Sequence, residues 1–373
     1  MPVCHGDYAG DVDDPQQARD FMSIEEKQKP QRNDRVTIRT VATHAGVSVA
    51  AVSKVMRNAY GVSDALRARV TDSIEALAYR PSRAARGLRG RSFTIGVLLI
   101  DIRNPFLPEV IAGVNGVLAP SHYQAMIGVS DARVQLETSL IESMIDYKMD
   151  GLILVAPRLP SEILATFAVQ IPIVAVGYHD ASATAFDTVN ADDQRGAEIA
   201  VEALLACGYR DIEMLSLGER QGHAVSVVRQ REIGFRRAMQ RGGLGSSPAI
   251  GKIPIASPKR EEAMRKFLSR KDRPRAVFCW SDLDAITLLS LAMEMGVRVP
   301  EDLAVIGYDN SPTAALGLVN LASIDQSGRE LGQVATRALI SRIEGRTASE
   351  HIFQIPSLVS RNSLTRSANS TDR

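Results

Sequence analysis

The sequence is poor in the residues that would define a disulfide-rich, metal-binding or membrane protein. Its 373 residues include 3 cysteines, and Cys4, Cys207 and Cys279 are too far apart to predict a disulfide framework or a zinc site. No apolar run approaches the roughly 20 residues that span a bilayer. The acidic start of the chain lacks the apolar stretch of a secretory signal peptide, so a reducing, cytoplasmic location is expected.

Catalytic motifs are missing as well. The sequence has no G-x-S-x-G, no G-x-x-x-x-G-K-[ST] and no H-E-x-x-H. Its 6 histidines are scattered without the spacing of metal ligands. We therefore expect no catalytic site, no metal site and no cofactor.

Net charge is also nearly absent, at +1, but the charged residues are unevenly distributed. Residues 32–91 contain 12 Lys and Arg against 4 Asp and Glu, whereas residues 1–31 contain 3 against 7. A basic block next to a mildly acidic body indicates a nucleic-acid-binding module joined to a second part. The length of the chain is typical of two or three domains.

A helix, a glycine-containing turn and a second helix are predicted between Thr37 and Met56. Apolar residues from Ile38 onward recur at i, i+3, i+4 and i+7, and Thr37 is placed to cap this first helix. Gly46 interrupts the pattern, and Ser48 is placed to cap the second helix. This spacing is typical of a helix-turn-helix motif.

The second helix of such a motif enters the major groove of DNA. The positions outside its buried face are Val49, Ala50, Ser53, Lys54 and Arg57. Lys and Arg can neutralise phosphates or donate to guanine, and small apolar side chains can contact a thymine methyl. Ser63 is placed to cap a third helix. The alternative to DNA binding is a three-helix bundle with a solvated charged face.

Beyond residue 92 the pattern changes to short apolar runs that alternate with amphipathic helices. The predicted strands are Phe93–Ile100, Ala125–Val129, Gly151–Val155, Ile171–Val176, Ile212–Leu217, Ala276–Trp280 and Leu303–Tyr308. Near-continuous apolar strands indicate parallel sheets that are covered on both faces. We expect two open α/β units with a ligand cleft at the carboxyl ends of their strands.

Several spaced motifs occur together in the basic block. It contains TIRTVATHAGVS, then VSKV, then a second VS before the third helix, and finally YRPSRAARGL. Farther along are NPF at 104–106, DGLIL at 150–154, an R-x-x-G-F at 231–235 and GYDN at 307–310. With these motifs the sequence resembles the lac repressor (LacI/GalR) family of bacterial regulators over about residues 35–365.

The resemblance implies an all-α headpiece followed by an α/β core. We expect a disordered tail at 1–34, a helix-turn-helix headpiece at 35–80, a hinge helix at 81–92, a core at 93–365 and a tail at 366–373. The core would be two-lobed, with parallel sheets similar to those of periplasmic sugar-binding proteins. The chain would cross between the lobes near residues 208, 322 and 348.

The resemblance also implies roles for individual residues. The implied DNA contacts are Thr37, Ser48, Val49, Ala50, Ser53, Lys54, Arg57, Ser63, Arg83 and Leu88. Val49 and Ala50 would set the operator preference, and Leu88 would wedge between base steps in the minor groove. The implied effector contacts are Phe106, Arg195, Arg231, Ser281 and Asp309, with Asp101 and Asp131 as further candidates because both follow a strand.

The function that follows is a sequence-specific transcriptional regulator, most simply a repressor. Its homodimer would bind a near-palindromic operator, and a sugar or sugar acid bound between the lobes would control that binding. An aromatic face suits the apolar side of a pyranose, and Arg, Ser and Asp can hydrogen-bond its hydroxyls. The alternative is a two-lobed sugar-binding protein or a sugar-acting enzyme with an appended DNA module.

Overall fold

The computed structural model describes residues 36–57, 59–80, 90–218, 226–245, 247–255 and 257–364. They fall into two compact units, which we call the headpiece (36–80) and the core (90–364). The predicted tails at 1–34 and 366–373, and the hinge positions Arg83 and Leu88, lie outside the described residues.

Three helices form the headpiece: α1 (Ile38–Ala45), α2 (Val49–Met56) and α3 (Asp64–Ala76). The helical apolar spacing places small aliphatic side chains in their shared centre, where Val41, Val52 and Val70 are fully buried. Gly46 ends α1 with a left-handed backbone, at a φ of 64°, and this allows the tight turn into α2.

The core contains twelve strands among the described residues, numbered in chain order. They are β1 (Thr94–Leu99), β2 (Gln124–Val129), β3 (Gly151–Val155), β4 (Ile173–Val176), β5 (Asp187–Ala191), β6 (Ile212–Leu217), β7 (Ile250–Ile253), β8 (Ala276–Cys279), β9 (Ala304–Tyr308), β10 (Ala322–Asp325), β11 (His351–Gln354) and β12 (Ser357–Val359). The helices between them are α4 (Phe106–Leu118), α5 (Val134–Asp146), α6 (Ser161–Ala168), α7 (Asp193–Ala206), α8 (Val227–Arg241), α9 (Ser257–Leu268), α10 (Asp282–Glu294) and α11 (Gly328–Ile343).

The strands form two six-stranded sheets, and each sheet is the centre of one lobe. The first lobe has the order β11-β5-β4-β3-β1-β2, with every pair parallel. The second has the order β12-β10-β9-β8-β6-β7, parallel except for β12, which runs antiparallel to β10. Separate apolar clusters lie on the two faces of each sheet, as fully buried parallel strands require.

The chain passes between the lobes three times, between β5 and α7, between β10 and α11, and between β11 and β12. The family resemblance implies a first crossing near residue 208, and this is wrong. Ala197, Val201 and Leu204 of α7 pack into the apolar cluster of the second lobe, so the crossing precedes this helix. The other two crossings follow Asp325 and Gln354, a few residues beyond the implied positions 322 and 348.

Helices α4 and α11 of the first lobe approach each other unusually closely. A Cβ atom at Gly113 would lie 2.0 Å from the carbonyl oxygen of Arg329, and one at Gly332 would lie 2.0 Å from that of Val110. Any side chain at either glycine would therefore push the helices apart. Leu331 of α11 reaches the space between the lobes, so this helix pair forms one wall of it.

No helix in the described ranges has both the length and the apolar character needed to cross a membrane.

Candidate DNA interface and effector cavity

Hydroxyl side chains cap all three helices of the headpiece. Thr37 Oγ1 accepts a hydrogen bond from a backbone N–H of the first turn of α1 at 3.4 Å. Ser48 Oγ and Ser63 Oγ accept one from the backbone N–H three residues farther on, at 3.1 and 3.4 Å. These predicted DNA-contact positions therefore also fix where the helices begin.

The outward face of α2 carries the other predicted DNA contacts of the headpiece. Val52 is buried against the other helices, which leaves Ala50, Lys54 and Arg57 exposed and Ser53 half-buried. Val49 is half-buried too and packs against the apolar centre of the headpiece. Lys54 and Arg57 are exposed, and neither forms an ion pair with a residue that the structure describes. Two cations on this face are thus available to phosphates or guanine.

A cavity of about 200 Å³ lies between the two lobes of the core, at the carboxyl ends of strands from both sheets. This is where the parallel-sheet pattern predicts a ligand cleft. The volume of the cavity exceeds the volume of an engineered protein cavity, about 150 Å³, that holds benzene. The cavity therefore has room for one small molecule.

Four of the five implied effector contacts line the cavity, and so does Asp101, one of the two further candidates. These four are Phe106, Arg231, Ser281 and Asp309. The prediction for Asp131 is not matched by the geometry, because its side chain is 57% exposed and lies 3.9 Å from Arg103 Nη2. The next residue, Ala132, lines the cavity instead.

Arg195 also lies outside the cavity, contrary to the prediction from sequence. Its side chain is 43% exposed and pairs with Glu198 at 3.2 Å and with Glu202 at 2.9 Å, on the outer side of α7. Asp193, two residues earlier, lines the cavity. Residues two apart on a helix do not share a face, so the inward position of Asp193 excludes Arg195.

Arg231 on α8 is a buried charge in the wall of the cavity, only 3% exposed. Its Nε donates to Asp193 Oδ1 at 2.7 Å, and its Nη1 donates to the backbone carbonyl of Trp280. Its guanidinium carbon lies 3.5 Å from the ring centre of Tyr308, a cation–π contact. Burial alone would lower the pKa of Arg231, but Asp193, Tyr308 and Asp309 together outweigh it and raise that pKa, so Arg231 stays charged.

Asp193 connects Arg231 to a histidine of the other lobe. Its Oδ2 lies 2.7 Å from Nε2 of His179, which follows β4. Burial alone would raise the pKa of Asp193, but Arg231 and His179 together hold it below its ordinary value. The ionised carboxylate therefore joins the two lobes beside the cavity.

Asp309, which follows β9, is the carboxyl most strongly affected by its surroundings. Gln326 Nε2 donates to its Oδ1 at 2.6 Å, and Asn104 Nδ2 of the first lobe donates to its Oδ2 at 3.4 Å. Burial raises the pKa of Asp309 to about 8, although Arg231 at 3.8 Å opposes this. At neutral pH this carboxyl keeps its proton and can donate a hydrogen bond to a ligand.

Ser281 caps α10, and its hydroxyl is hydrogen-bonded to Asp284. Its hydroxyl accepts from the backbone N–H of Asp284 at 3.4 Å and donates to Asp284 Oδ2 at 3.0 Å. Trp280 Nε1 donates to the same carboxylate oxygen. Ser281 therefore presents an acceptor to the cavity and has no spare proton to donate.

Sequence reasoning missed several polar and aromatic residues of this wall: Asn104, Arg158, Tyr178, Asp193, Arg260, Trp280 and Gln326. Arg158, Tyr178 and Trp280 each lie within three residues of a strand end. Strand ends define the cleft, so a search of these positions would have found all three. Asp193 follows β5, whose sequence DTVNA is too polar for the apolar pattern to reveal.

The described part of the chain contains no cluster of His, Cys, Asp and Glu that could hold a metal ion. Two charged groups of the cavity wall, Arg231 and Asp193, pair with each other.

Two protein families match separate parts of the chain. Residues 37–82 match the bacterial regulatory proteins of the lacI family, and residues 201–364 match the periplasmic binding protein-like domain. The first match covers the headpiece helices, and the second covers most of the second lobe together with β11 and α11.

Two curated relatives match nearly their whole length. The HTH-type transcriptional repressor PurR of Photobacterium profundum is 30% identical over 334 residues, which cover 88% of this chain and 98% of the relative. Catabolite control protein A of Priestia megaterium is 30% identical over 326 residues, covering 86% and 96%. These relatives are regulators and not enzymes.

Among solved structures, the complex of the transcriptional regulator CelR with cellobiose is similar to this chain. It has a TM-score of 0.65 and 26% sequence identity, and the match covers 88% of this chain and 100% of that one. The two-lobed arrangement of parallel sheets is thus shared with a regulator whose structure contains a sugar.

Proposed function

We propose a function for each of the two units, on the basis that the chain belongs to the LacI family of bacterial regulatory proteins. Members of this family are DNA-binding transcriptional repressors with a periplasmic-binding-protein-like effector domain. The headpiece binds an operator, and a sugar or sugar acid in the core cavity controls that binding. One observation carries this proposal: a cationic helix-turn-helix face and a small cavity with buried charged groups occur in the same chain.

The DNA-binding half of the proposal rests on α2. We assign the DNA contacts to Thr37, Ser48, Val49, Ala50, Ser53, Lys54, Arg57 and Ser63, with Arg83 and Leu88 of the hinge. Lys54 and Arg57 would bind phosphates or guanine, while Val49 and Ala50 would select the operator sequence. A single α2 helix reads few base pairs, so a homodimer on a near-palindromic operator would supply the second half-site.

The effector half rests on the groups that converge on the cavity. Phe106 offers an aromatic face from the first lobe. Arg231, Ser281 and Asp309 offer donors and acceptors for hydroxyl groups from the second lobe. The sugar bound by the similar regulator CelR supports the same class of ligand.

A ligand that contacts both lobes would stabilise their closed arrangement. Asn104 already meets Asp309 across the cleft, and His179 meets Asp193. A ligand can shift the equilibrium between two arrangements only by its difference in affinity for them, and the coupling is reciprocal. Operator DNA should then change effector affinity by the same factor by which effector changes DNA affinity.

The test begins with a thermal-shift screen of the purified full-length protein against sugars, sugar acids and nucleobases. A ligand at about 100 times its Kd stabilises the folded state by about 2.7 kcal/mol. Each ligand found is then titrated against the protein with and without an operator obtained by selection from random DNA. Equal effector affinities in the two titrations, or chemical conversion of the bound sugar, would overturn the proposal.

A further inference from the structure

Three arginines line the cavity among the described residues, and two of them are already paired. Arg231 donates to Asp193 at 2.7 Å. Arg260 Nη1 lies 3.3 Å from Asp284 Oδ1, and its other nitrogens donate to two backbone carbonyls. The third is Arg158, whose guanidinium forms no hydrogen bond or ion pair within the parts of the chain that the structure describes.

The carboxyl groups that line the cavity leave no negative charge for Arg158. Arg103 donates to Asp101 from Nε at 3.0 Å and from Nη2 at 2.9 Å. Asp193 is held by Arg231, and Asp309 stays protonated at neutral pH because burial raises its pKa to about 8. No carboxylate that lines the cavity is therefore left to pair with Arg158.

The backbone of Arg158 is fixed, although its side chain has no partner among the residues that the structure describes. The buried carboxylate of Glu137 accepts hydrogen bonds from the N–H groups of Arg158 and Leu159, at 3.0 and 3.1 Å. Glu137 also attracts the guanidinium through space, but the two are not in contact. These bonds anchor the start of the side chain beside the cavity and leave its five donors unfilled.

We propose that Arg158 binds an anionic group of the effector, a carboxylate or a phosphate, so that the cavity selects a monosaccharide-sized acid over the matching neutral sugar. This inference rests on the proposed function and specifies its ligand. A guanidinium binds carboxylate or phosphate through two parallel hydrogen bonds, and partly buried ion pairs of this kind are screened little by salt. A neutral sugar would leave the guanidinium of Arg158 without an anion in contact with it.

The experiment is calorimetric titration of the full-length protein with matched probes: glucose and glucuronate, galactose and galacturonate, and glucose 6-phosphate. We expect at least one acid to bind roughly tenfold or more tightly than its neutral partner. The phosphate ester distinguishes a phosphate from a carboxylate preference. Arg158→Gln should weaken binding of the preferred acid by roughly ten- to a hundredfold and leave the neutral sugar unchanged.

Two further variants separate charge from structure. Arg158→Lys keeps the charge without the planar fork and should recover part of the lost affinity. Arg133→Gln removes an exposed arginine of the same lobe that does not line the cavity, and it should change nothing. Melting temperatures of all three variants report whether they fold.

The outcomes separate this inference from the proposed function. Equal affinities for acids and neutral sugars, or an unchanged acid affinity in Arg158→Gln, would overturn the role of Arg158. The proposed function would survive that result if the bound sugar still altered operator binding. If neither sugars nor acids bound the wild-type protein, both the proposed ligand class and the proposed role of Arg158 would be wrong.

Discussion

The headpiece and the core hold their candidate functional groups in opposite surroundings. Lys54 and Arg57 stand in solvent without ion-pair partners within the described residues, whereas Arg231 is buried and bound on several sides. Exposed charges are screened by salt, while buried pairs are screened much less. DNA affinity should therefore decrease as ionic strength rises. Effector affinity should depend much less on salt and more on the geometry and protonation of the cavity residues.

The largest effect that would test this contrast is expected at Arg231. Arg231→Ala removes a donor from the cavity wall and takes from the buried Asp193 its arginine partner; breaking a buried ion pair in this way destabilises a fold by about 3–5 kcal/mol. We expect effector affinity to fall at least about a hundredfold, which is the loss expected when charged hydrogen bonds are removed. Binding of DNA by the effector-free protein should stay close to wild type, as measured by fluorescence anisotropy.

Arg195→Ala is the matched control, because it removes the same side chain from a neighbouring helix. Arg195 pairs only with the partly exposed Glu198 and Glu202 among the described residues, so its loss should cost about 1 kcal/mol or less and leave effector affinity unchanged. An equal loss of effector affinity in both variants would contradict the placement of Arg195 outside the cavity.

The second test uses pH, to which the buried carboxyl of Asp309 should respond. Because its folded pKa is raised to about 8, above the roughly 4 of an unfolded chain, the folded state binds the extra proton between these values. Stability should thus fall as pH rises through this window, by up to about tenfold in the unfolding equilibrium per pH unit, and level off above pH 8.

Asp309→Asn cannot ionise and should lack this contribution. Urea unfolding of both proteins at pH 5, 7 and 9 measures this contribution. The free energy of unfolding of the variant, relative to that of wild type, should increase as pH rises. Parallel stability curves over this range would mean that Asp309 ionises normally in the folded protein.

The smallest expected effect lies in the headpiece. Lys54→Ala or Arg57→Ala should each weaken operator binding by roughly tenfold and lower the slope of log affinity against log salt by about 1, since each removes one phosphate contact. Effector affinity should not change. A loss of affinity with an unaltered salt slope would show that the side chain reads a base and does not neutralise a phosphate.

Family and fold class were predictable from the sequence, and both are confirmed. In the headpiece the helix starts were predictable too, because a cap and its helix are neighbours in sequence. Thr37, Ser48 and Ser63 each cap the helix that was expected to follow them. Short-range spacing carries this information without knowledge of the rest of the fold.

The cavity was less predictable because its walls come from distant parts of the chain. Phe106 and Asp309 were identified through resemblance to a family, whereas Asp193 and Arg158 carry no local signal beyond their closeness to a strand end. Arg195 shows the limit most clearly. A shift of two residues along α7 changes an inward carboxylate into an outward arginine, and sequence alone does not fix that rotation.

The order of segments along the chain has a consequence for biosynthesis. The first lobe is interrupted after Ala191 and resumes only at Gly328, when α11 and then β11 complete it. At about 5–20 residues per second, a ribosome needs roughly 7 to 30 seconds to make the intervening segment. During that time Val110 and Gly113 of α4 have no α11 to cover them, so the nascent first lobe presents apolar surface to chaperones until the end of translation.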